Sequence, residues 1–141
     1  LNAALGIIGR PHAMLTEVEA LRAYARMLNT LSPAHLEPLL ADDFTYESQN
    51  VFSALESKQA FLDYIQPKLR TVKRAGATVF AEMGVVSAYR SDQPCVVLAQ
   101  NDRENLVALV FAKVTGDKIV RLDLCIIPPP SSAMRTGEYP A

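Results

Sequence analysis

The sequence predicts a single α+β domain, with helices packed on a curved and mostly antiparallel sheet. Three observations predict it. Apolar residues recur at helical spacing through the first half. The period becomes extended after Ala77 and stays so for five short runs. Helices followed by consecutive strands, rather than alternating with them, segregate the two element types. The 141 residues are half hydrophobic and 21% charged, ample for one core and unlike a disordered chain. A net charge of −1 leaves no basic excess for a nucleic acid. No apolar run reaches the roughly 18 residues that a membrane helix needs. A soluble protein in a cytoplasmic setting is therefore expected, without nucleic-acid or membrane partners.

Residues 1–13 carry a short apolar patch interrupted by Gly9-Arg10-Pro11. They read as a leader or an added remnant, leaving a domain over 14–130 and a polar tail, expected to be loosely held, over 131–141. Thr16 and Glu19 have capping-box spacing. Val18, Leu21, Tyr24, Ala25, Leu28 and Leu31 form the stripe of a first helix. Ser32-Pro33 starts a second short helix with Leu36, Leu39 and Leu40 inward, stopped by Asp42-Asp43. Phe44 to Ser48 is a brief strand and Gln49 to Glu56 a loop. A third helix from Ser57 buries Phe61, Tyr64, Ile65, Leu69 and Val72, with a kink or break expected at Pro67.

Thr78 to Tyr89 reads either as one bent strand or as a hairpin around Met83-Gly84. Strands over Cys95–Gln100, Leu106–Val114 and Ile119–Ile127 follow, and Pro128-Pro129-Pro130 ends pairing. Cys95 and Cys125 are too few for a disulfide framework. They lie two strands apart, about 9–10 Å, which is beyond the reach of a bridge within the chain.

The run from Tyr24 through Leu28-Asn29 and Leu39-Leu40-Ala41-Asp42-Asp43 to Thr45-Tyr46-Glu47, in this order, resembles the opening of NTF2-like proteins. That superfamily includes SnoaL-like cyclases, ketosteroid isomerases and limonene epoxide hydrolases, and the resemblance covers roughly residues 16 to 127. It implies a cone-shaped, cystatin-like half barrel enclosing an apolar cavity, and a homodimer formed through the convex sheet face. It also places the isomerase tyrosine at Tyr24, the proton-transfer base at Ser48 and the second oxyanion acid near Val110. A serine cannot abstract a carbon-bound proton without an activating base, so isomerase chemistry is not expected. For the Asp-Arg-Asp network of epoxide hydrolysis, Arg103 and Asp123 are the raw material. Arg103 falls in a polar turn, and Asp123 alternates with Leu122 and Leu124, which aims it at the convex side.

The expected cavity lining is Tyr24, Met27, Tyr46, Ser48, Phe52, Phe61, Tyr64 and Val110. Tyr24 and Tyr46 would donate hydrogen bonds to a small apolar ligand, and Tyr24, Tyr46 and Asp123 are the candidates for any catalysis. Core packing is the plain alternative for the aromatic members. Glu47 should point away from the cavity. Glu82 either reaches its mouth or is an exposed strand residue. Neither histidine has ligand-spaced neighbours, and no phosphate loop occurs, so no metal or cofactor is expected. Two functions compete: a cofactor-free small-molecule-binding protein, possibly an isomerase, cyclase or hydrolase, or a non-catalytic dimeric interaction module. Leu109, Phe111, Asp123 and Cys125 would supply the dimer face. A cavity of a few hundred Å³ reaching Tyr24 favours the first; a filled interior favours the second.

Overall fold

A computed structural model of the chain describes residues 14–50 and 53–141. Residues 1–13, expected to be a leader or an added remnant and including His12, lie outside the described residues, as do Val51 and Phe52. Helix α1 spans Glu17–Thr30. Its capping box closes reciprocally, with the Thr16 amide donating to Glu19 Oε1 at 2.9 Å and the Glu19 amide to Thr16 Oγ1 at 3.0 Å. Leu31 is the left-handed cap (φ 55°) rather than a last helical residue. Strand β1 (Leu40–Ser48) follows, then helix α2 (Lys58–Ala75), which runs through Pro67 without a break. Strands β2 (Val79–Val86), β3 (Gln93–Gln100), β4 (Leu106–Thr115), β5 (Lys118–Cys125) and β6 (Met134–Arg135) complete the chain. They form one sheet in the order β1-β5-β4-β3-β2-β6, with β1 parallel to β5 and the other neighbours antiparallel.

Three expectations about the elements are corrected, and the alternative at Gly84 is resolved. The second helix is two 3₁₀ turns, Pro33–His35 and Glu37–Leu39, each with proline in its first turn. The Leu36 amide, which a longer helix would bond elsewhere, donates to Pro33 O at 3.0 Å. Asp42 and Asp43 stop nothing; they are exposed members of β1. Gly84 marks no hairpin, because β2 is continuous there. Its value is close approach: a Cβ on it would lie 2.9 Å from Val97 Cγ2 and 3.2 Å from the Met134 carbonyl. Strand β5, expected to reach Ile127, ends at Cys125, because the Gln49 side chain captures the chain beyond it. Gln49 Oε1 accepts from the amides of Ile126 (2.6 Å) and Ile127 (2.9 Å), and Nε2 donates to Ile127 O (3.0 Å).

The sheet separates two apolar layers as its period requires. On the inner, helix-covered side, Ala108, Val110, Ala112 and Leu122 pack with Leu21, Met27, Phe44, Phe61 and their neighbours. On the outer side Val86, Cys95, Val97, Leu109, Phe111 and Cys125 form a second cluster under Ala133. Both cysteines are free and buried in this outer cluster, on strands that flank β4. Burial raises the Cys95 thiol to about 12 and pushes that of Cys125 up as well, so both are unreactive thiols at neutral pH.

The C-terminal segment is not loose. It crosses the outer layer, pairs with β2 and continues onto α1 as a strap. The Met83 amide donates to Glu138 O (2.8 Å), Asn29 Nδ2 to Pro140 O (2.6 Å), and Arg22 Nε to Glu138 Oε2 (2.8 Å). Glu82 lies beneath this strap, 4% exposed, at neither the mouth of a cavity nor the surface. It accepts from Arg135 Nε (2.7 Å), the Gly137 amide (2.7 Å) and Tyr139 Oη (3.1 Å). Arg103, read as a solvated charge, stacks over Tyr139 (4.3 Å) and Phe80 (5.3 Å).

The strap responds to acid. Hydrogen bonds from Arg22 to Glu138, and from Arg135 to Glu104, hold both carboxyls below the usual value of 4.5. A depressed folded-state pKa contributes stability above the unfolded value, and that stability is lost as pH falls through the folded one. Backbone amides of Thr136 and Glu138 are therefore expected to lose hydrogen-exchange protection on acidification below about 4.5, ahead of the inner core. Equal loss in both regions would contradict this.

Candidate functional site

The inner side was the expected site, and the structure brings several of its residues together. Phe61 of α2 meets Phe44 edge-on at 5.2 Å and Tyr46 at 5.2 Å, and Tyr46 meets Tyr64 at 5.9 Å. Lys68 Nζ donates to Tyr64 Oη at 2.7 Å. Ser48 Oγ accepts from the Asn50 amide at 3.1 Å. Burial, followed by the neighbouring phenols, pushes Tyr24 well above its ordinary value, and burial likewise raises Tyr46. Both are neutral donors at physiological pH.

Space is the decisive property here. Met27, Phe61 and Val110 have 0% exposure, and Tyr24 and Tyr46 only 3% and 4%. A side chain without accessible surface borders no void that would admit even a water molecule. The interior is filled around Met27, Phe61 and Val110 by its own side chains. Phe52 lies outside the described residues.

The spacious concavity lies on the opposite side of the sheet. A groove of about 680 Å³ opens there, bordered by the start of α1, the β2–β3 loop and the outer faces of β1, β4 and β5. Strand register aligns Glu47 with Asp123, and Asp123 with Phe111. Glu47 and Asp123 thus point away from the helices, as their parity predicts. Arg121, two residues before Asp123 and on the same face, joins them. Its Nε donates to Asp123 Oδ2 at 2.9 Å, and its Nη2 to Glu47 Oε1. These bonds, Asp123 first, raise the guanidinium above its ordinary value. The result is a carboxylate–arginine–carboxylate unit on β1 and β5, with Arg121 in the place for which Arg103 was considered.

Across the groove Tyr89 stands edge-on to Phe111 at 5.7 Å, and Arg90 pairs with Glu17. Gln93 Oε1 is buried without a hydrogen-bond partner, the one such side-chain atom among the described residues. Tyr89, Arg90, Gln93, Lys113 and Arg121 were not foreseen as site residues. Arg121 carried a signal, since i and i+2 on a strand share a face. Gln93 carried none, because its position depends on how the loop before β3 folds back. No group of three or more potential metal-ligating side chains occurs among the described residues. No described helix is long and apolar enough to cross a membrane.

Comparison with known proteins matches the architecture. No family model matches the sequence, and no curated protein does. Solved structures do. An NTF2-like protein of unknown function from Cytophaga hutchinsonii superposes with a TM-score of 0.55 at 11% identity, covering 81% of this chain and 92% of that one. A SnoaL-like protein of unknown function from Burkholderia thailandensis gives 0.55 at 13%, covering 83% and 91%. The epoxide hydrolase/cyclase-like enzyme SalBIII, of pyran ring formation in salinomycin, gives 0.54 at 14%, covering 84% and 94%. The chain has the NTF2-like, cystatin-like α+β fold. At these identities the likeness defines the fold alone, and the individual activity must come from the site.

Proposed function

We propose that this chain is a non-catalytic binding module of the NTF2-like fold whose working surface is the outer face of the sheet. The observation that carries this reading is that Met27, Phe61 and Val110, three of the positions expected to line an inner cavity, have no accessible surface. A groove of about 680 Å³ on the other face is within the range of small-molecule sites. The position that resembles the isomerase base holds Ser48, whose hydroxyl accepts from the Asn50 amide and supplies no proton acceptor for carbon acids. The test is a thermal-shift panel of steroids and terpenoids. Ligand at about a hundred times its Kd would add about 2.7 kcal/mol, roughly 8 °C for a chain of this size. The expected result is no saturable shift; a rise of that order would overturn the reading.

The same face supports pairing of two copies. Leu109, Phe111 and Cys125, expected at the interface, are 0%, 6% and 7% exposed within one chain, beneath the loop and strap. What they leave outward is Tyr89, Ile127 and Met134, at 68%, 72% and 75%. Exposed apolar side chains mark an association surface where they form one contiguous patch, which the variants below test. Light scattering is expected to give a dimer of the 15.4 kDa chain, and Ile127→Asp with Met134→Asp to give the monomer. A wild-type monomer would contradict it.

A further inference from the structure

We propose that the edge of β2 around Glu82 is a peptide-recognition site, filled here by the chain's own residues 134–141, and that paired copies fill it reciprocally by exchanging those segments. The inference rests on the pairing of two copies proposed above, and it goes further by naming what passes between them.

The segment sits on the domain as a ligand would. Neither apolar cluster contains any of its residues, so both are complete without it. Met134, Thr136, Gly137 and Glu138 are exposed, and only Pro140 is buried. Strand addition holds it in place. Met134 and Arg135 extend the sheet beside Val85 and Gly84. The Thr136 amide donates to Met83 O at 3.1 Å, and the Met83 amide to Glu138 O at 2.8 Å. Glu82 supplies the selectivity. Its carboxylate is buried, and its donors Arg135, the Gly137 amide and Tyr139 Oη all belong to this segment. An empty site would strand that charge, so the site selects an occupant with arginine at this register.

A second copy offers that occupant. The segment's polar partners lie on α1, on β2 and in the turn at 103–104, remote from it in sequence. These contacts are independent of the connection from β5, and an identical segment from another copy would reproduce them. Exchange of one element is for this reason a low-cost route to a dimer. The connector over residues 126–133 can extend to about 26 Å, and it exposes Ile126, Ile127, Pro129, Ser131 and Ser132. Ile127 lies in this connector and Met134 directly after it, so pairing of copies at these side chains sets the two connectors side by side.

Two full-length variants test the exchange. Glu82→Arg keeps the segment and reverses its acceptor, whereas Arg135→Glu keeps the acceptor and reverses the segment. Alone, each opposes like charges, and the Met83 and Thr136 amides are expected to lose hydrogen-exchange protection about tenfold or more. In an equal mixture, each copy's segment meets the opposite charge on the other copy. Protection is then expected to return, with a mixed dimer in native mass spectrometry. A wild-type dimer whose mixed variants regain no protection would overturn the exchange and leave the pairing standing. A wild-type monomer would overturn both. Where a reversal fails to fold, ¹⁵N-labelled Arg135→Ala carries the test, with a synthetic peptide of residues 133–141 added. Saturable shifts of amides 82–85 are expected, and about tenfold weaker binding when alanine replaces the peptide's arginine. No saturable shift to millimolar concentration, or equal binding of the two peptides, would overturn the inference.

Discussion

Phe61→Ala is expected to cost about 4 kcal/mol of folding stability, within the range of phenylalanine truncations in cores. Phe61 has no accessible surface and its ring meets both Phe44 and Tyr46. Its removal therefore loses the transfer free energy of the ring, one edge-on and one tilted aromatic contact, and it leaves a void between α2 and β1. Urea unfolding followed by circular dichroism reads the loss as a lower midpoint at unchanged slope. A loss below about 2 kcal/mol would mean that the interior collapses onto the gap, and so is less tightly determined than the aromatic cluster implies.

Arg135→Ala is expected to cost about 3 kcal/mol, because removing one partner of a buried pair strands the other charge. Glu82 has 5% side-chain exposure and Arg135 25%. The remaining donors to Glu82, the Gly137 amide and Tyr139 Oη, are themselves positioned by the strap that Arg135 anchors. Unfolding should retain its cooperativity while the amides of Thr136 and Glu138 exchange freely in the native state. Glu82→Gln keeps the side-chain shape, removes the buried charge and gives up one acceptor oxygen, so it should cost less than Arg135→Ala, which leaves that charge unpaired. Equal losses in the two variants would contradict an ionic origin.

The sequence made the architecture legible because its strongest signals are local. Thr16 and Glu19 fix the start of α1 by their own side chains, and the alternation of Ala108, Val110 and Ala112 with Leu109 and Phe111 assigns two faces without reference to other strands. Asp123 and Glu47 point outward by the same parity. The misread features depend on partners remote in sequence. Gly84 fitted either a turn or a continuous strand, and what requires it is Val97 and Met134, which lies fifty residues further along. Glu82 looked exposed until the strap covered it. The family resemblance directed attention to Tyr24, Tyr46 and Val110 on the inner side. Whether such residues line a hollow or fill it depends on the depth of sheet curvature and on how closely α2 approaches. No single residue encodes either, so the open groove on the other face was invisible to sequence.

Xenon binding to the crystalline protein tests the closed interior most directly, since dry apolar cavities of modest size take up this gas. Wild-type crystals under pressure should hold no xenon among Tyr24, Met27, Phe61 and Val110, whereas Phe61→Ala crystals should hold it beside Phe44 and Tyr46. Xenon at that inner position in the wild type would contradict the account and return the phenol cluster to consideration as a ligand site.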